Sequence, residues 1–144
     1  MRAEYDRDAA VAYARQWALG RNPRFGDFSH LGGDCANFAS QCLLAGWGDM
    51  TDAWHYRSMD ERTPSWSGVR FLREWLLLDG RAQLCRPDEA EAGDLVFLWN
   101  GARWYHVLVL LTAGEFPTAA AHTRDALGSP LSAWTAAREY VHIF

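Results

Sequence analysis

The chain has 144 residues, of which 49% are hydrophobic and 22% are charged. This length and composition fit one domain with its own hydrophobic core, which needs no metal ion or disulfide bond to stabilise it. The net charge of −4 argues against a nucleic-acid-binding surface, because its 14 arginines are scattered and phosphates bind to clustered positive charge.

No apolar stretch approaches the roughly 18 residues that a membrane-spanning helix requires, and the polar start of the chain lacks the apolar segment of a signal peptide. We therefore predict a cytoplasmic protein with no membrane partner, and export by another route stays open. The three cysteines cannot all pair within one chain, and the resulting free thiol suits a reducing compartment. The sequence leaves the oligomeric state open.

Helices are predicted in the first half of the chain. The spacing of apolar residues predicts a helix over about residues 6–19 and another over about 67–78. A third helix, over about residues 35–44, follows two glycines, with Asp34 as its N-cap. The segment 47–66 is predicted to be a loop rich in polar and aromatic residues.

Strands are predicted in the second half, at about residues 95–99, 104–111, 118–123 and 140–144. Asn100 and Gly101 favour a hairpin turn between the first two strands. Residues 84–87 are either irregular or an edge strand. Helices followed by an antiparallel meander predict one α+β domain over residues 1–144, with N-terminal helices packed on a C-terminal antiparallel sheet.

Cys35 is the strongest nucleophile candidate among the cysteines. It begins a predicted helix, where unpaired backbone N–H groups and the helix dipole favour a thiolate. The same N–H groups can hold the oxyanion that forms when an amide carbonyl is attacked. Cys42 and Cys85 are expected to be buried, unreactive side chains.

A thiol nucleophile needs a base, and His106, near the hairpin end of its predicted strand, is the candidate. A third group must orient the imidazole, and His122 lies on the next predicted strand. Asp125 and Asn100 are alternatives for this role. The histidines and cysteines show no metal-ligand spacing, so we predict neither a metal nor a cofactor.

Several further residues are candidates for parts of an active site. We expect Asp34, Asn37 and Ser29 to stabilise the oxyanion or to support the nucleophile. The candidates for lining a substrate cleft are Phe28, His30, Trp47, Trp54, Trp104 and Tyr105.

The chain resembles a known bacterial family, the "putative amidase domain" family, from about residue 5 to residue 144. The most specific part of the resemblance is the string GGDCANFASQCL at residues 32–43. The other matching residues are 13–17, 22–23, 45–46, 65–66, 93–96, 106–107 and 121–123. The family looks related to the NlpC-type branch of the papain-like cysteine hydrolases.

The resemblance implies a papain-like fold, in which a helix carrying the cysteine packs on an antiparallel sheet carrying the histidine. It implies a triad of Cys35, His106 and His122, which cleaves an amide or peptide bond through a thioester acyl-enzyme. One departure concerns the oxyanion: many papain-like enzymes use an upstream Gln or Tyr side chain as a second donor, and this loop has neither.

Two other functions are compatible with the sequence. The same triad can transfer the acyl group to an amine instead of to water. Alternatively, the domain is catalytically inactive and binds a peptide or glycan through the aromatic segment 47–66.

Overall fold

The computed structural model describes residues 4–144 of the chain. The α-helices are α1 Arg7–Trp17, α2 Cys35–Trp47, α3 Pro64–Ser67 and α4 Val69–Leu78. The strands are β1 Tyr56–Ser58, β2 Glu61–Arg62, β3 Ala82–Cys85, β4 Leu95–Trp99, β5 Trp104–Thr112, β6 Thr118–Ala121, β7 Ala126–Pro130 and β8 Ala137–Ile143. Short 3-10 turns lie at Pro87–Glu89 and Leu131–Ala133.

The main sheet is antiparallel, with six strands in the order β3-β8-β4-β5-β6-β7. Strands β1 and β2 form a separate hairpin within the segment that was predicted to be a loop. The α+β class is confirmed. The prediction of a simple antiparallel meander is wrong in one respect, because the last strand, β8, inserts between β3 and β4.

The helices follow the predicted pattern with shifted ends. Asp6 caps α1, since its carboxylate accepts a hydrogen bond from the N–H of Ala9 at 3.0 Å. Helix α2 is longer than expected, because it passes through Gly46 and ends at Gly48, whose φ of 86° is left-handed. A side chain at Gly46 would meet the ring of Tyr5 at 2.2 Å, so this glycine serves a close contact between segments.

The strands agree with prediction best in β4, where the bounds are the same. The hairpin to β5 turns where expected, but through four residues, 100–103, with the Asn100 side chain accepting from the N–H groups of Ala102 and Arg103. Residues 82–85 form an edge strand. Strand β7 was missed, because its sequence, ALGSP, contains the glycine and proline that usually mark a turn.

Both faces of the central sheet are buried. In β5, Val107 and Val109 belong to the core that the sheet shares with α1 and α2. The alternate residues, Leu108 and Leu110, pack on the other face in a second cluster with Leu131, from the 3-10 turn before β8. The core therefore continues on both sides of the strand that carries His106.

Aromatic side chains fill the space between α2, α4 and the segment 47–66. Trp54 is fully buried, its ring lies 5.0 Å from that of Trp75, and its indole N–H donates to the Ser40 hydroxyl at 3.1 Å. Trp66 is also fully buried and donates its indole N–H to Asn37 at 2.8 Å. These tryptophans of the segment 47–66 are thus part of the core.

We expect Trp54→Ala to lower the free energy of unfolding by about 3–5 kcal/mol, because it leaves a large cavity in a packed interior. Urea denaturation followed by fluorescence and circular dichroism measures the change. The matched control is Phe116→Ala, because Phe116 is 82% exposed and its removal should change stability by less than about 0.5 kcal/mol. Equal effects of the two substitutions would contradict the buried position of Trp54.

Candidate active site

Cys35 is the first residue of α2, and two glycines bring the chain to it. Gly32 and Gly33 have φ values of 99° and 114°, which side-chain-bearing residues rarely adopt. A side chain at Gly33 would also approach the hydroxyl of Thr123 to 3.2 Å. The glycines thus let the loop before α2 turn sharply against the loop after β6.

The carboxylate of Asp34 connects the start of α2 to its surroundings. The N-cap prediction for Asp34 holds for its position but not for its side chain, which makes no capping bond to α2. Oδ1 instead accepts from the N–H of Phe28 at 2.8 Å and from Asn37 Nδ2 at 2.9 Å. Oδ2 lies 2.5 Å from Nδ1 of His122. The Asp34 N–H donates to the hydroxyl of Thr123 at 2.7 Å.

Arg21 joins the loops outside this buried carboxylate. Its guanidinium lies 3.5 Å from Asp34 and donates two hydrogen bonds, each of 3.0 Å, to Asp125. It also donates to the hydroxyl of Ser29 at 3.2 Å, and that hydroxyl donates to Asp27 at 2.5 Å. Asp125 and Ser29 are therefore engaged with Arg21.

The Cys35 side chain is buried, with 5% of its surface exposed. Burial raises the pKa of the thiol to about 11, although the backbone N–H groups of Val107 and Ala36 act in the opposite direction. The expectation of a lowered thiol pKa at the helix start is therefore wrong for this structure. Desolvation outweighs the helix terminus, and the resting sulfur is a thiol at neutral pH.

The sulfur of Cys35 lies at an edge of β5. The N–H of Leu110 donates to the carbonyl of Asp94 at 2.9 Å, on the side of β4. N–H groups alternate sides along a strand, so that of Val107 points the other way, where β6 has already ended. The N–H of Val107 favours the thiolate of Cys35 by hydrogen bonding. Cys35 therefore lies beside the peptide bond that joins His106 to Val107.

His106 is buried beside this edge, and its Nε2 has no hydrogen-bond partner within residues 4–144. Burial, with a smaller effect from the positive charge of Arg124, lowers the pKa of the imidazole to about 4, so the ring is neutral at pH 7. By strand alternation, the side chain of His106 lies on the face of Leu108, opposite α2. The imidazole and the sulfur therefore approach one peptide bond from different directions.

His122 lies on the α2 side and contacts other groups. Its ring stacks on Phe38 with centroids 4.1 Å apart, and its Nε2 lies 2.8 Å from the carbonyl oxygen of Trp17. Its other nitrogen, Nδ1, faces the Asp34 carboxylate at 2.5 Å. Neither nitrogen is directed at His106. The orienting role of His122 stays a prediction.

The remaining candidates fall into two groups. Phe28, Trp47 and Trp54 are buried in the core, so they pack the interior instead of facing an open cleft. His30, Trp104 and Tyr105 reach the surface at least in part. Asn37 donates to the carbonyl of Gly26 at 2.8 Å, which, with its bond to Asp34, makes it a link between loops.

An open cleft of about 560 Å³ lies next to the candidate residues. Its walls include Gly32, three residues before Cys35, and Tyr105, which directly precedes His106. Arg70 and Arg103 also line it and were missed in the sequence, because no local pattern shows that α4 and the β4–β5 turn meet. A separate cavity of about 620 Å³ lies near the other end of α2.

No group of three or more His, Cys, Asp or Glu side chains within residues 4–144 is arranged to hold a metal ion. In that part of the chain, no helix is long and apolar enough to cross a membrane.

The raised pKa of Cys35 predicts how its alkylation depends on pH. Below a pKa of about 11, the thiolate fraction rises tenfold with each pH unit, so the iodoacetamide rate should climb steadily from pH 7 to pH 10. Mass spectrometry of the peptide that contains Cys35 measures the rate separately from those of Cys42 and Cys85. A plateau below pH 8 would contradict a neutral resting thiol.

The family comparison adds to this geometry. The family described as "Putative amidase domain" matches residues 4–144, nearly the whole chain. No curated protein and no solved structure matches the chain. Since the match covers all of the described elements, the chain belongs to the "Putative amidase domain" family, whose name points to a hydrolase acting on carbon–nitrogen bonds.

Proposed function

We propose that the protein is a cysteine-dependent amidase of the papain-like, NlpC type, with Cys35 as nucleophile and His106 as base. One observation carries the proposal: Nε2 of His106 is buried without a hydrogen-bond partner within the described chain, and the next peptide N–H acts on the Cys35 sulfur. A buried nitrogen without a partner is costly to stability. A role in proton transfer gives a reason to keep it there.

The reaction begins from a neutral thiol and a neutral imidazole, because burial raises the pKa of Cys35 and lowers the pKa of His106. When substrate binds, the His106 side chain moves around the open edge of β5, where β6 has ended, to reach the sulfur, and no bond to Nε2 has to break. Nε2 takes the thiol proton as the sulfur attacks the amide carbonyl. The carbon–nitrogen bond then breaks, and His106 returns the proton to the leaving amine. Water hydrolyses the thioester and restores the thiol.

Backbone N–H groups stabilise the oxyanion in this proposal. Those at the start of α2, including that of Cys35, are unpaired within the helix and point toward the reacting carbonyl. The N–H of Val107 is the second donor, because it already acts on the sulfur in the resting protein. It takes the place of the upstream Gln or Tyr side chain that this sequence lacks.

His122 acts on the nucleophile through Asp34 in this proposal. The Asp34 carboxylate contacts His122 at 2.5 Å and immediately precedes Cys35 in the chain. The pair holds the first turn of α2 against the loop after β6. His122 is thus a positioning residue, and whether it also orients His106 is a separate question for experiment.

We expect Cys35→Ala to abolish hydrolysis of peptide amides, and His106→Ala to lower kcat by at least about 10²-fold, since general acid–base catalysis contributes on that order. Release of a chromogenic amine from a panel of peptide anilides measures turnover, and mass spectrometry of quenched reactions detects the acyl group on Cys35. Cys42→Ala is the matched control, because Cys42 is buried within α2.

Each result separates the functions that the sequence allows. Retained turnover in Cys35→Ala would remove Cys35 from the mechanism. An acyl-enzyme that is consumed faster by added amines than by water would assign acyl transfer in place of hydrolysis. A folded protein that binds these peptides without acylation would favour the inactive binding module.

His122→Ala should reduce both kcat and stability if His122 positions α2 through Asp34. Removal of the His122 ring leaves the buried Asp34 carboxylate without one of its hydrogen-bond partners, which costs about 1–3 kcal/mol, and thermal unfolding measures this loss. If His122 instead orients His106, kcat should fall by about 10²-fold or more with a shifted pH profile. An unchanged kcat with unchanged stability would exclude both roles.

A further inference from the structure

The open cleft whose walls include Gly32, three residues before Cys35, and Tyr105, next to His106, has an unusual charge for this protein. Arg70, from α4, and Arg103, from the β4–β5 turn, both line it, and no acidic side chain does so among the described residues. Within residues 4–144 neither guanidinium forms an ion pair, whereas other arginines, such as Arg7 and Arg21, pair with carboxylates. The whole chain carries a net charge of −4, so the positive charge of this cleft is opposite in sign to the net charge of the protein.

Arg124 adds a third positive charge on the side of His106. It lies in the loop after β6, with a φ of 65°, and its charge helps to lower the pKa of the His106 imidazole. Like Arg70 and Arg103, Arg124 is solvent-exposed and forms no ion pair in the described part of the chain. Two unpaired guanidinium groups thus line the cleft, and a third lies close enough to His106 to lower the pKa of its imidazole.

Aromatic side chains form the other walls of the cleft. Phe71 and Tyr105 are 42% and 43% exposed, although large apolar side chains are usually buried. The guanidinium of Arg70 lies 4.4 Å from the centroid of the Phe71 ring, which holds the positive charge against an apolar surface. Trp104 lies deeper, with Arg73 at 4.5 Å from its ring. The cleft therefore offers flat apolar contacts and unpaired positive charge together.

We propose that this cleft binds a carboxylate of the substrate, so that the substrate class is an anionic peptide-like amide with its carboxylate close to the scissile bond. Arg70 and Arg103 hold the carboxylate, since guanidinium groups match its geometry and charge. The aromatic walls contact the neighbouring apolar part of the chain. This inference rests on the proposed function, because it takes Cys35 as the reacting group.

Two alkylating reagents of similar size test the charge of the cleft without a known substrate. Iodoacetate is an anion and iodoacetamide is neutral. Both alkylate the Cys35 sulfur through their methylene carbon, with loss of iodide. Their rate ratio at Cys35, measured by mass spectrometry, is compared with the ratio for N-acetylcysteine amide, a neutral free thiol. Because burial disfavours the anionic reagent more than the neutral one, a ratio above that of the free thiol reports a positive local potential.

We expect the ratio of iodoacetate to iodoacetamide at Cys35 to exceed that of the free thiol by about three- to tenfold at low salt, as two nearby charges would produce. The double variant Arg70→Gln/Arg103→Gln should remove this preference, and 1 M NaCl should do so in the unaltered protein. Arg15→Gln is the matched control, because Arg15 is exposed on α1 and does not line the cleft.

The outcomes separate the two proposals. A ratio equal to that of the free thiol, or one unchanged in the double variant, would overturn the carboxylate site and leave Cys35 as nucleophile. Failure of Cys35 to react with either reagent up to pH 10 would overturn the nucleophile and the cleft together. Where turnover is measurable, peptide anilides that differ only in Glu or Gln beside the scissile bond should differ in kcat/KM in the same direction.

Discussion

The candidate site depends on one buried carboxylate, that of Asp34. It is fully buried, and its oxygens contact the Phe28 N–H, the Asn37 amide and the His122 ring. A carboxylate in an apolar interior is stable only when such donors surround it. The loop before α2, the first turn of α2 and the loop after β6 must therefore assemble together. Cys35, the next residue, is positioned in part by that assembly.

Desolvation decides the chemical state of the two proposed catalytic groups. A cysteine at a helix start is expected to ionise more easily, yet burial raises the pKa of Cys35 to about 11 and lowers that of His106 to about 4. These directions agree with each other, because both neutral forms are favoured in the same dry region. In the proposed mechanism such a neutral pair reacts only when a substrate carbonyl is present, so proton transfer and attack are coupled to binding.

The sequence predicts what local patterns determine. Strand β4 is an apolar run bounded by turn residues, and Cys35 follows glycines at a helix start, so both were placed correctly. Asp34 looked like an N-cap, because the local signal cannot show that Phe28 and His122 bind the carboxylate first. Strand β7 and the position of β8 depend on pairing between distant segments, which no periodicity reports.

The charge of the cleft likewise could not be predicted from local sequence patterns. Arg70 and Arg103 are 33 residues apart in the chain, and each alone looks like an ordinary solvated side chain. Only the packing of α4 against β5 brings them to the same cleft, with no carboxylate among the described lining residues. The protein as a whole is negatively charged and repels anions. The unpaired arginines make the cleft locally positive, so the cleft attracts an anionic substrate. In the proposal, such a field guides anions to this cleft, and selectivity for an anionic substrate then arises before any bond to the sulfur forms.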